Sequence, residues 1–190
     1  KVLTKTDRPV LLVLHKPRGI ECTTNKSVKH NIVDFINYPC RVYPVGRLDK
    51  DSEGLILMTN QGDLVNKMMR SGNRHEKEYL VSVDKPINDA FIKGMSAPVY
   101  LKDLNVTTRS CVVEQTGKCS FRIILTQGFN RQIRRMCETF GFKVTKLKRI
   151  RIMNIHLGDL KTGSYREVTP EEMKELMELL QLCRQRKRIW

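Results

Sequence analysis

The chain has 190 residues, 40% of them hydrophobic, which is enough for one sizeable core or two small lobes sharing a sheet without metals or disulfides. Its 35 Lys and Arg against 20 Asp and Glu leave a formal charge of +15, which favours a polyanionic partner, nucleic acid first. No apolar run approaches the roughly 20 residues that span a bilayer and no signal-like segment opens the chain, so a membrane partner is not expected and a cytoplasmic location is.

Pro9 to His15 is an apolar, β-branched run stopped by Lys16-Pro17-Arg18-Gly19, which predicts a buried strand and then a turn. A polar loop from Glu21 to His30 leads to a short helix at Ile32 to Ile36, and Arg41 to Val45 leads into Gly46. Leu55 to Thr59 reads as a strand, Asn60 to Asp63 as a turn, and Leu64 to Arg70 as a helix with Leu64, Val65, Met68 and Met69 on one face, ended by Gly72. Lys77 to Val83 and Ser120 to Thr126 carry β-rich alternation. Asn130 to Phe140 is helical, because Ile133, Met136, Cys137 and Phe140 recur at i, i+3, i+4 and i+7, and Gly141 stops it. Thr169-Pro170-Glu171-Glu172 is a capping box with Pro at the first helical position. It announces a last helix that buries Met173, Leu176, Met177 and Leu180, before the basic tail Arg184 to Arg188. With strands spread through the chain, helices of different sizes between them and no linker-like segment, a mixed sheet with peripheral helices fits best.

Cys22, Cys40, Cys111, Cys119, Cys137 and Cys183 are scattered without the close spacing of a zinc site or redox pair, and His15, His30, His75 and His156 have no metal-like spacing either. No metal is expected. Neither a Walker-type loop nor a dinucleotide fingerprint is present, so no nucleotide cofactor is indicated.

Gly46-Arg47-Leu48-Asp49-Lys50-Asp51-Ser52-Glu53-Gly54 packs cations and carboxylates between glycines just before a hydrophobic strand. On composition alone a solvated charged turn is the simpler reading. Yet loops on a rigid sheet can hold reactive groups both exposed and fixed, and the flanking glycines allow close approach to a ligand.

This segment and its continuation, Leu55-Ile56-Leu57-Met58-Thr59-Asn60-Gln61-Gly62-Asp63-Leu64, resemble the active-site motif of the RsuA-type family of bacterial rRNA pseudouridine synthases. Lys77-Glu78-Tyr79 resembles that family's second motif, Gly128-Phe129-Asn130-Arg131-Gln132-Ile133-Arg134-Arg135-Met136 its third, and Lys16-Pro17-Arg18-Gly19 the loop after its first catalytic strand. The resemblance covers nearly the whole chain in the family's order and is strongest to the RluF branch, which acts on 23S rRNA.

It implies the pseudouridine synthase fold, an α/β domain over residues 1–190 with a central, mostly antiparallel mixed sheet, peripheral helices and a basic cleft. It also implies isomerisation of a uridine in structured RNA, 23S rRNA with tRNA as a further candidate, by a monomer without a cofactor. Asp49 matches the family's nucleophile, and Arg134 the cation that keeps it ionised in a partly dry pocket, where desolvation alone would raise its pKa. On a helical wheel Arg134 falls at the edge of the apolar stripe, whereas Arg131 and Arg135 lie opposite it and suit phosphate contact in a protein of this charge. Tyr79 would ordinarily be core; by resemblance it stacks on the uracil. Arg47 occupies the position whose side chain fills the gap left by an extruded base. Lys16, Arg18, Lys50 and Asn130 complete the set expected to contact RNA.

Family members usually begin with a small separate RNA-binding domain, and that domain is expected to be absent from this chain. The rival readings are a non-catalytic RNA-binding or ribosome assembly module with the same fold, and a hydrolytic glycosidase using Asp49 with Asp51 or Glu53.

Overall fold

The structure is a computed structural model that describes residues 8–70 and 74–185, with side chains up to residue 181. β1 (Leu11–Lys16) is followed by a turn at Pro17 and Arg18, then by α1 (Ile32–Ile36), β2 (Tyr43–Val45), β3 (Glu53–Thr59) and α2 (Gly62–Met69). Next come β4 (Lys77–Val83), α3 (Asp89–Ser96), β5 (Tyr100–Leu101), β6 (Val106–Thr107), β7 (Val112–Gly117), β8 (Ser120–Leu125), α4 (Gln132–Thr139) and β9 (Val144–Ile152). The last described elements are β10 (Ile155–His156), β11 (Tyr165–Glu167) and α5 (Pro170–Gln185). The fold is mixed α/β with mostly antiparallel strand pairing and few helices. Gly72 and residues 186–188 of the basic tail, both singled out in the sequence, lie outside the described residues. No helix among the described residues is long and apolar enough to cross a membrane.

By its contacts the chain divides into two compact units, Lys1–Asn73 with Met153–Trp190, and Arg74–Ile152. In the first, β1 lies antiparallel to both β3 (Leu14 opposite Ile56) and β11 (Leu14 opposite Tyr165), and β2 also pairs antiparallel with β3. Every residue of β1 is buried, as is β3 from Gly54 onward, which is why Leu11 to Leu14 and Leu55 to Met58 read as continuous apolar runs rather than alternating ones. On one face Leu12, Leu14, Ile56 and Met58 pack with Ile32 and Ile36 of α1 and with Leu48. α1 is set by Asn31, whose side chain accepts from the Asp34 amide. α5 begins with the expected reciprocal cap: the Thr169 amide donates to Glu172 Oε1 at 3.0 Å and the Glu172 amide to Thr169 Oγ1 at 3.1 Å. α5 buries Leu176 and Leu180, while Met173 and Met177, expected beside them, stay half-buried. On α2 only Leu64 is buried, and Met69 is exposed rather than on a buried face.

In the second unit β9, β4, β8 and β7 are neighbours in that order, all antiparallel. One face of this sheet carries Val81 and Val83, Phe121, Ile123 and Leu125, and Val144 and Leu147, packed against Phe91 and Met95 of α3 and Ile133, Met136 and Cys137 of α4. Phe91 meets Phe121 edge-on with ring centroids 5.4 Å apart and Phe142 at 4.3 Å. α3 and α4 approach so closely that a Cβ on Gly94 would come within 2.6 Å of the Phe140 ring. Phe140 itself, the last residue of the predicted apolar stripe, is 37% exposed: it lies past the end of α4 and covers Gly94 from outside.

Phe121 is fully buried at the centre of this cluster, so Phe121→Ala is expected to cost about 3–5 kcal/mol of unfolding free energy, read as a drop in the urea midpoint.

Candidate functional site

In the first unit the charged loop before β3 is held at three points. Leu48 plugs into the core, leaving Arg47 exposed on one side and Asp49 half-buried on the other. The Ser52 amide donates to the Asp49 carbonyl at 3.0 Å, closing a tight turn, and Ser52 is itself buried. The Lys50 carbonyl accepts from the Gly19 amide at 2.8 Å, which ties this loop to the Lys16–Gly19 turn after β1. Gly46 opens the loop in left-handed backbone, φ 79°, and a Cβ there would stand 3.0 Å from the Met69 sulfur. The backbone sign favours glycine, whereas the exposed Met69 side chain could give way.

Lys16, expected to touch RNA, is 0% exposed. Its ammonium donates to the carbonyls of Pro17 and Ile20, each at 2.9 Å, and reaches the Lys50 carbonyl at 3.5 Å. A buried ammonium satisfied by backbone oxygens is a structural cation. It knits the turn after β1 to the loop that carries Asp49. Arg18 and Lys50 are exposed, as expected of groups that meet a polyanion.

In the second unit Tyr79 lies on the core face of β4, 9% exposed, opposite Arg149 of β9, which is 4% exposed. Lys77 stands on the same face one pleat away. The opposite face of these strands carries a ladder of charges. Arg122 donates to Glu78 and Glu114, each at 2.6 Å, and Arg151 reaches Glu76 at 3.1 Å and Glu78 at 3.8 Å. Glu78, within the Lys77-Glu78-Tyr79 motif, is therefore a structural anion shared by two guanidinium groups.

α4 starts at Gln132 rather than at Asn130, because Arg131 adopts left-handed backbone, φ 50° and ψ 37°, a strained conformation for a residue with a Cβ. Gln132 turns back to accept from the Phe129 amide at 3.1 Å. Arg131 and Asn130 are exposed, and Arg134 is half-buried on the helix. Arg135, expected to contact phosphate, has its donors engaged within the protein. It binds the Asn130 carbonyl at 2.9 Å, the Asn130 side chain at 3.0 Å and Asp103 at 3.0 Å. It organises the turn that presents Asn130 and Arg131.

The sequence reading gave no role to Lys77 or Arg149. The available signal was charge within β-patterned segments: Arg149 fills an inward position of β9 where Leu147 and Ile152 predict another apolar residue. Among the described residues no group of three or more His, Cys, Asp or Glu is arranged to hold a metal ion. Burial pushes the Cys111 thiol up to about 11 and the Cys137 thiol up to about 12, so both stay protonated and unreactive at neutral pH.

Residues 10–139 match the family model described as RNA pseudouridylate synthase. The dual-specificity RNA pseudouridine synthase RluF of Salmonella typhi is 54% identical over 177 residues, covering 93% of this chain and 61% of the relative. Its namesake from Escherichia coli K12 is 55% identical over 172 residues, covering 90% and 59%. The ribosomal large subunit pseudouridine synthase B of Bacillus subtilis is 36% identical over 185 residues, covering 91% and 73%. A solved crystal structure of a pseudouridylate synthase superimposes with a TM-score of 0.82 at 27% identity, covering 92% of this chain and 76% of that one. The chain belongs to the RNA pseudouridylate synthase family, in its RsuA-type group and RluF branch. It spans about three-fifths of the length of the RluF proteins it matches.

Replacing Lys16 by Met removes charge-assisted bonds to the Pro17 and Ile20 carbonyls, and Lys16→Met is expected to cost about 2 kcal/mol of stability, read by urea denaturation. A residue serving only as a phosphate contact would leave the unfolding curve unchanged.

Proposed function

We propose that the chain carries the catalytic activity of an RNA pseudouridine synthase that isomerises a specific uridine of 23S rRNA, with tRNA as a second substrate class. The family membership supports this reading, as does the dual specificity in the names of the RluF relatives. The observation that carries it is Asp49, half-buried on a loop fixed by the Leu48 plug and the Lys50 carbonyl. A reactive carboxylate has to be reachable by the substrate and still unable to swing away.

The reaction breaks the N1–C1′ bond of the uridine and forms a C5–C1′ bond. C5 loses its proton and N1 ends protonated, so atoms and electrons balance without an oxidant, a reductant or a cofactor. In this proposal the uridine leaves its stack and exposed Arg47 fills the gap, lowering an unstacking cost of a few kcal/mol. Asp49 attacks, or assists elimination at, the ribose while the uracil rotates. Arg134 supplies the positive charge that keeps the acid ionised, and Tyr79 offers its ring to the uracil. Exposed Arg18, Lys50, Asn130 and Arg131 contact the RNA. The chain acts as a monomer.

Asp49→Asn changes one oxygen for nitrogen at constant volume. It is expected to hold structured RNA within about threefold of the unmodified affinity while isomerisation falls by at least a factor of about 1,000. Tritium release from carbon-5-labelled uridine in transcribed 23S rRNA fragments measures the reaction, and filter binding measures the affinity. Retained tritium release overturns the assignment, and free uracil among the products makes the enzyme a hydrolase instead.

A further inference from the structure

The core face of the second unit's sheet is apolar along most of its rows and changes character at one end. Val81 faces Phe121 and Leu147 across the strands, whereas the next positions outward bring Tyr79 opposite Arg149, and beyond it Lys77. A β-bulge between Glu78 and Tyr79 shifts the β4–β9 register there, placing Lys77 opposite Ile152. On β8 the residue opposite Lys77 is Leu125. Above it runs the turn that leads into α4: the Lys77 nitrogen lies 3.7 Å from where a Cβ on Gly128 would stand.

The neighbouring cations have their charge answered. Arg122 and Arg151 share the carboxylates of the opposite face, and Arg135 holds Asp103. Lys77 has no such answer: its surroundings contribute burial, and the like charge of Arg149. Its neighbours within this unit are Arg149 and Ile152 from β9, Leu125 from β8, Tyr79 from its own strand, and the turn at Gly128. None of these is an anion.

From this geometry we infer that Lys77 is an anion-binding residue, taking a backbone phosphate of the bound RNA beneath the Gly128–Arg131 turn. A folded protein keeps a half-buried, unanswered ammonium at a cost, and a phosphate recovers that cost only when the RNA is in place. Burial, with Arg149 second, lowers the Lys77 pKa from 10.5 to about 8, so the binding-competent charge is present at neutral pH and is lost as the pH rises through that value. The inference rests on the RNA-modifying reading and extends it to a group that reading does not use.

The test is the affinity of the protein for a fluorescein-labelled RNA stem-loop between pH 6.5 and 9.5, by anisotropy, for the unmodified chain, Lys77→Arg and Lys77→Met. The unmodified chain is expected to lose about tenfold in affinity across this range relative to Lys77→Arg, whose guanidinium stays charged. Lys77→Met is expected to bind weakly at every pH, with a salt dependence lower by about one phosphate contact. Thermal melts identify a variant that fails to fold, and Lys77→Arg keeps the comparison decisive if Lys77→Met is such a variant. Parallel pH profiles for the unmodified chain and Lys77→Arg overturn the inference. So does a variant whose loss falls on kcat alone, which would put Lys77 against the uracil. Tritium release on the same samples separates the two claims: a protein that binds with this pH signature but does not isomerise sinks the enzyme reading and leaves Lys77 in place.

Discussion

Asp49 sits on a loop dense in charge, directly before a strand whose residues are buried from Gly54 onward, and such a loop has every reason to drift into solvent. What prevents this is the Lys50 carbonyl, which receives the Gly19 amide at 2.8 Å and lies 3.5 Å from the buried Lys16 ammonium. Because Lys16 is the last residue of β1 and pairs with Gly54 of β3, the anchor is fixed to the most rigid part of its unit. Leu48 adds an apolar foot one residue before the acid. The loop that carries the carboxylate is thus held by backbone hydrogen bonding at Lys50 and by hydrophobic burial at Leu48.

The net charge of +15 is not spread evenly in function. Part of it is consumed inside the fold, by Lys16 on carbonyls, by Arg122 and Arg151 on the acids of β4 and its neighbours, by Arg135 on Asp103, and by Arg166 on Glu172 at 2.7 Å. These cations set structure and contribute little to steering a polyanion. Exposed Arg18, Arg47, Lys50 and Arg131 are among the cations whose fields extend into solvent. Sorting basic residues in this way does more to delimit an RNA-binding surface than their number does.

Much of this was legible in the chain itself. α1 and β4 fall where the apolar pattern and β-rich alternation put them, and the Thr169–Glu172 cap announces α5. Local signals suffice when cap, period and stop agree. β9 escaped because Lys146, Lys148, Arg149 and Arg151 dilute its hydrophobicity, so that nine residues of strand look like a basic surface run. The burial of Lys16 is hidden for a related reason: lysine is almost never fully buried, and only the surrounding carbonyls reveal why this one is. The partners of Arg135 are hidden in the same way, since Asp103 is distant in sequence and Asn130 is brought to it by a non-helical turn.

The close packing of α3 on Phe140 has a steric consequence. Gly94 and the aromatic ring at 140 exclude one another's growth, since any side chain at 94 would overlap the ring at 2.6 Å. A side chain at position 94 therefore requires the Phe140 ring to move or to shrink, which couples the two positions. The ring follows directly on α4, the helix that carries Arg134 in its first turn. A mismatch at that pair would press on the helix from its C-terminal end, the end opposite to Arg134.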